Sequence, residues 1–391
     1  MTKLLLHFFV PNYRDSEDTA VRSAVGALSG MVGILCNLLL FAGKLAVGTL
    51  TGSVSVTADA LNNLSDASGS IVTLAGFRLA GKPADAQHPY GHARFEYLSG
   101  LGVAALILVI GFELAKSSVE KIFRPTPVEF SAVAAGVLVA SVGVKLWMSL
   151  FNRKLGKLID SASLMATAAD SRNDCVATSA VLLAALCEQV FDLRVDGIMG
   201  LAVAVFILYS GFGLAKQTIS PLLGEGAGPE LRQRIVDYIE QQPKVLGYHD
   251  LMVHDYGPGQ RFASVHVEMD RNEDPLQCHE IIDDMERECL RSHNIHLVIH
   301  YDPVVTDDPE LNRLRQLVSA ILRVKDSRLT IHDFRLIRGE TGKVLSFDVT
   351  LPADLRGQEE EIRSALANAL NDLGEGTFET DITFDPEMFA Q

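Results

Sequence analysis

Two short stretches of this chain put carboxylates where carboxylates are costly. The first is Asp59-Ala-Leu-Asn62-Asn-Leu-Ser-Asp66, inside the apolar run 53–80. If that run is helical, Asn62 and Asp66 are four residues apart and share a face, with Asp59 one turn earlier. The second is Asp170-Ser-Arg-Asn-Asp174, another i, i+4 pair in another apolar run. A carboxylate at membrane depth normally faces a cavity or a partner and marks an ion path. Two helices that each offer two oxygen donors make a four-ligand set for a hard divalent cation: Asn62, Asp66, Asp170 and Asp174. A single aspartate reads as readily as a helix cap. Two pairs at one spacing in two apolar runs do not.

Two further sets carry metal-binding donors. Asp85, His88 and His92 form D-x-x-H-x-x-x-H in a short polar loop, one carboxylate and two imidazoles, a set that suits zinc or a similar transition metal. Further on, His249, His266, His279 and His300 fall on successive predicted elements, with Asp302 beside the last. Imidazoles and a carboxylate converging on one sheet edge bind borderline divalent metals.

The acidic pairs need spanning helices to hold them. Six candidate spans lie at about 25–49, 53–80, 97–120, 129–152, 161–187 and 195–217, each near or above the roughly 20 apolar residues a bilayer core requires. Residues 1–24 are a cytoplasmic or interfacial lead-in: the apolar start is broken by His7, ends at Pro11 and lacks a small-residue cleavage site. With the N-terminus inside, the inner segments carry Arg14, Arg22, Arg78, Lys82, Arg94, Arg153, Lys154, Lys157 and Lys216. The outer ones carry Lys121, Arg124 and Arg194. The positive-inside rule then puts both termini in the cytoplasm.

Charge divides the chain at the same place. Residues 1–220 hold 17 Lys+Arg against 16 Asp+Glu, and residues 221–391 hold 17 against 33, together the chain's 34 and 49. The net charge of −15 therefore belongs to the C-terminal part, which argues against nucleic-acid binding. The five cysteines show no C-x-x-C or framework spacing and read as reduced thiols. Neither H-E-x-x-H nor G-x-S-x-G occurs, so nothing points to an intramembrane hydrolase.

From residue 221 the period changes. A helix over 230–242, strands over 248–257 and 261–270, a helix over 276–293 and a strand over 296–302 predict a small α+β unit ending near 305. Residues 306–391 repeat it. Ile331-His332-Asp333 echoes Tyr248-His249-Asp250, Ser346–Leu351 echoes Ser264–Met269, and Ile382-Thr-Phe-Asp-Pro386 echoes Ile299-His-Tyr-Asp-Pro303. Of the histidines only His332 persists. Asp348 stands where His266 stood and Thr383 where His300 stood. The second copy is thus expected to have lost its metal site and to serve packing or partner contact.

These residues carry a resemblance. Lys44-x3-Gly48, Gly52-Ser53-x5-Asp59-Ala60-x4-Ser65-Asp66, the His88-x3-His92 loop, the acidic fifth span and the β-β-α-β unit resemble the cation diffusion facilitator family over about residues 12–305. The resemblance implies a six-helix transmembrane transport domain over 25–220. A cytoplasmic, ferredoxin-like metal-binding domain would follow over 221–305, and a duplicated one over 306–391. It further implies a homodimer in the lipid of a bacterial inner membrane that exchanges cytoplasmic divalent metal for protons, with no prosthetic group. The transport site maps onto Asn62, Asp66, Asp170 and Asp174, the loop site onto Asp85, His88 and His92, and the soluble site onto His249, His266, His279, His300 and Asp302. The transport set departs from zinc members in lacking histidine. An all-oxygen set favours manganese over zinc, with iron(II) and zinc as the alternatives. Gly224 stands where some members keep an acidic residue after the sixth span, and the second soluble copy is not a usual family feature.

Overall fold

The computed structural model describes residues 2–13, 18–51, 54–124, 132–191, 195–339, 342–372 and 378–386. Arg14, Gly52, Ser53, Arg194, Glu340, Thr341, Leu373 and residues 129–131 of the fourth span lie outside the described residues, as do the side chains of Asp59 and Ser65. The chain divides into two units. One holds residues 1–225 with 255–260, the other 226–254 with 261–391.

The first unit is helical: α1 (Thr2–Phe9), α2 (Thr19–Thr51), α3 (Val54–Ala80), α4 (Phe95–Phe123), α5 (Ala132–Leu158), α6 (Ala162–Phe191) and α7 (Asp196–Leu222). Among the described residues, four helical stretches, Ala20–Val47, Phe95–Phe123, Ala135–Leu158 and Gly197–Leu222, are long and apolar enough to cross a membrane. The sequence suggests six. The remaining two helices, α3 and α6, carry the acidic pairs, and their polar residues lower the apolarity. At 27 and 30 residues and 1.5 Å per residue they reach about 40 Å, enough for a bilayer core of roughly 30 Å.

The main interfaces pair α2 with α3, α4 with α7 and α5 with α6, and α3 also meets α4 and α6. Small residues let these helices close, as expected where no water drives association. A Cβ on Gly26 of α2 would lie 2.0 Å from the Phe77 ring of α3, and Gly111 of α4 and Gly211 of α7 each seat a leucine of the other helix, Leu208 and Leu108. Phe77, Phe151, Leu155, Ile159 and Leu164 form a buried cluster that also takes in Leu6 of α1, so the N-terminal lead-in docks on the bundle. A buried ion pair ties α2 to α4: Arg22 Nη2 lies 3.1 Å from Glu96 Oε1. Arg22 also donates to the carbonyl of Ile159 at the end of α5, and Ser161 hydrogen-bonds Glu96.

The second unit repeats one α-β-β-α-β order. The first copy is α8 (Pro229–Glu240), β1 (Gly247–Asp255), β2 (Arg261–Asp270), α9 (Pro275–His293) and β3 (Ile295–Val304). The second is α10 (Pro309–Lys325), β4 (Thr330–Arg338), β5 (Lys343–Leu351), α11 (Glu359–Asp372) and β6 (Phe378–Pro386). The strands make two three-stranded sheets, ordered β1-β2-β3 and β4-β5-β6. In each the last two strands are parallel. Asp-Pro starts a helix in both copies: Asp274 caps α9 by accepting from the Leu276 amide, and Asp308 caps α10 through the amides of Glu310 and Leu311. Each copy has its own core, one around Ile239, Val267, Met285 and Ile295, the other around Val318, Leu345, Phe347 and Leu370.

Candidate cation-binding centres

The acidic pairs of α3 and α6 do come together, and a lysine lies between them. Lys145 Nζ is 2.6 Å from Asp66 Oδ2 and 2.7 Å from Asp174 Oδ2. Its side chain is 5% exposed, and it stands thirteen residues from either end of α5, too deep for its stem to reach an interface. Asp170 lies within electrostatic reach of Asp66, Asp174 and Lys145. Arg172, inside the same motif, does not join them. Two residues along a helix turn it to the far side, where it donates to Ser210 Oγ at 2.9 Å and stacks over the Phe206 ring. Asn62 is exposed, and the buried amide is that of Asn63.

A seam of hydroxyls leads to the carboxylates. Ser99 of α4 bonds Ser163 of α6 at 2.9 Å, and Thr167 of α6 bonds Thr73 of α3 at 3.0 Å. Ser163, Thr167, Asp170 and Asp174 follow i, i+4, i+7, i+11 spacing, one face of α6. That stripe was readable in the sequence, as was Lys145, and neither was singled out there.

In the 81–94 loop, Asp85, His88 and His92 converge, with one ligand atom from each within 4.8 Å of the others. Asp85 Oδ1 accepts the amides of His88 and Gln87 at 2.8 and 2.9 Å, and the His88 bond above all holds its carboxyl below the usual aspartate range. His92 Nδ1 lies 3.0 Å from the Pro83 carbonyl, which can only accept, so Nδ1 carries the proton. In the neutral ring Nε2 then presents a lone pair to Asp85 Oδ2, 3.4 Å away. A carbonyl that orients the ring in this way leaves the other nitrogen free to take a metal beside the carboxylate.

The first copy of the second unit gathers most of its expected ligands. Parallel pairing sets His266 of β2 against His300 of β3. Asp302 Oδ2 is 2.8 Å from His266 Nδ1 and 3.1 Å from His249 Nε2, and Asp302 Oδ1 is 3.4 Å from His300 Nε2. His249 is 3% exposed and Asp302 7%. His279 is not gathered. It is exposed on α9, whose inner face is Cys278, Ile282, Met285 and Cys289.

The second copy, where the sequence suggests a lost site, still brings three donors together. His332, Asp348 and Asp385 offer ligand atoms within 4.8 Å of one another. One carboxylate, Asp348, stands in for the imidazole of His266, while His332 and Asp385 keep the donor types of His249 and Asp302.

Comparison with known proteins gives matches over much of the chain. Residues 30–223 match the family model described as the cation efflux transmembrane domain, and residues 227–304 match the cytoplasmic domain of cation efflux proteins. An uncharacterized transporter of Methanocaldococcus jannaschii is 31% identical over 251 residues, 64% of this chain and 88% of that one. The cation-efflux pump FieF of Salmonella typhi is 30% identical over 254 residues, 65% of this chain and 84% of that one. FieF of Salmonella paratyphi A is 29% identical over 261 residues, 66% and 87% of the two chains. Both family models end before the second α-β-β-α-β copy begins.

Proposed function

Because the chain belongs to the cation diffusion facilitator family of cation efflux transporters, we propose that it carries a divalent metal out of the cytoplasm, manganese by preference, in exchange for protons. The observation that carries this reading is the Asp66, Asp170, Asp174 and Lys145 cluster between α3, α5 and α6. Three carboxylates and one ammonium, all ionised, leave two negative charges. One divalent cation or two protons would neutralise them. Such a cluster cannot stay charged and dry, so it is either protonated or metal-loaded, which is the requirement for exchange. Rocking of the bundle would present the site to each side in turn.

The choice of manganese rests on donor chemistry. The cluster offers oxygen, and oxygen-only sets suit manganese better than zinc, which prefers nitrogen and sulfur. Iron(II) and zinc remain the alternatives. Lys145 donates no lone pair while protonated, so it holds the empty site together and must yield when metal enters. The remaining assignments belong to the same reading. The transport domain occupies 25–220, with α3 and α6 completing six crossings, and the two soluble copies occupy 221–305 and 306–391. Both termini are cytoplasmic, and the protein is a homodimer in a bacterial inner membrane.

The test is flux in proteoliposomes under an imposed pH gradient, with manganese, iron(II) and zinc offered separately. Manganese uptake with proton counter-flow is expected. Zinc moving alone would overturn the donor argument while leaving the family intact. No flux of any metal would favour a membrane-anchored sensor.

A further inference from the structure

The two soluble copies meet through equivalent corners. His249-Asp250 lies near the start of β1 and His332-Asp333 near the start of β4. Both aspartates sit in the left-handed region, Asp250 at φ 53° and Asp333 at φ 49°, which aspartate tolerates better than most residues. The two imidazoles stack on each other with ring centroids 4.7 Å apart and planes 30° apart. Like corners meeting like is the signature of a two-fold contact, here made within one chain.

The stacked pair is ringed by carboxylates. His332 pairs across the sheet with Asp348, and its Nε2 lies 3.5 Å from Asp385 Oδ2. His249, Asp250 and His332 form a second group with ligand atoms within 4.8 Å, sharing His332 with the His332, Asp348 and Asp385 group. His332 is 7% exposed, and among the described residues neither of its ring nitrogens has a hydrogen-bond partner. A buried imidazole with both nitrogens unsatisfied is expensive, and this one is aimed into a nest of acidic oxygens.

We propose that the junction of the two copies is a divalent-cation site, with His332, Asp348 and Asp385 as ligands and His249 and Asp250 closing it from the first copy. The site is separate from the His266, His300 and Asp302 cluster, although His249 borders both. The donor set of imidazole and carboxylate suits borderline ions such as zinc, cobalt(II), iron(II) or manganese. The second copy would then be an inter-copy staple, because a cation bound only in the packed arrangement stabilises that arrangement. This proposal does not depend on which metal the membrane cluster carries.

The test uses the full chain in detergent, stripped of metal. Zinc is titrated by equilibrium dialysis and cobalt(II) by its visible absorption. His332→Ala and the isosteric Asp385→Asn should each hold about one equivalent fewer than wild type and lose one cobalt spectral component. A His266→Ala, His300→Ala double variant should retain that component. If His332→Ala disturbs folding, Asp385→Asn decides alone. Wild-type stoichiometry and wild-type cobalt spectra in Asp385→Asn would overturn the proposal.

Discussion

The membrane cluster and the repeat junction each crowd three carboxylates together, Asp66, Asp170 and Asp174 in one and Asp250, Asp348 and Asp385 in the other. They manage the charge differently. In the membrane the ammonium of Lys145 sits between the acids with two short ion pairs. At the junction two imidazoles, His249 and His332, stack among them. An ammonium neutralises but cannot ligate, so metal must displace it. A neutral imidazole can ligate and has no need to leave. The first arrangement suits a cation that passes through, the second a cation that stays.

The sharpest way to break this contrast is to remove a carboxylate from each. Asp66→Ala should reduce metal flux in proteoliposomes to background, a loss on the order of 100-fold or more, since a transport site stripped of a charged ligand holds neither metal nor the exchanging protons. Normal export by Asp66→Ala would remove the cluster from the transport path.

Lys145→Met tests the neutraliser itself. Two half-buried carboxylates would lose their partner, and breaking a fully buried pair from one side costs roughly 3–5 kcal/mol, an upper bound here. The metal-free variant should melt well below wild type, and added manganese should recover more of the loss than it adds to wild type. A metal-free melting temperature equal to that of wild type would mean that the ion pairs do not balance the site.

Asn62→His is expected to have a smaller effect. An added imidazole should move the zinc-to-manganese flux ratio several-fold towards zinc if position 62 faces the site. An unchanged ratio would fit the exposure of Asn62 and leave the three aspartates as the whole donor set.

Much of this was legible in the sequence because it is periodic or repeated. The apolar runs gave helices within a few residues of those observed, and the echo of Tyr248-His249-Asp250 in Ile331-His332-Asp333 predicted the second α-β-β-α-β copy. What escaped was long-range pairing. Lys145 sits in an apolar run whose pattern says only that it is buried. Its depth, at a cost of roughly 2.5–3.5 kcal/mol on insertion scales, was the available hint that it has acidic partners. The junction escaped for another reason. Replacing His266 by Asp348 looks like loss when one copy is compared with the other, and the residues that close the group, His249 and Asp250, come from a neighbouring copy that no local pattern names.

His279 gives the finest test. The sequence and the family resemblance group it with His249, His266, His300 and Asp302, yet α9 turns it outward one residue from buried Cys278. Within one chain His279→Ala should change zinc affinity of the first-copy cluster by less than about twofold, whereas His266→Ala should weaken it by at least about tenfold, the scale on which even ligand-orienting groups act. Both are read by competition with a chromophoric chelator on the full chain. If His279→Ala costs as much as His266→Ala, the imidazole must reach the cluster of a second chain. That outcome would make the first-copy site a bridge between protomers, while the His332 junction would remain a bridge within one.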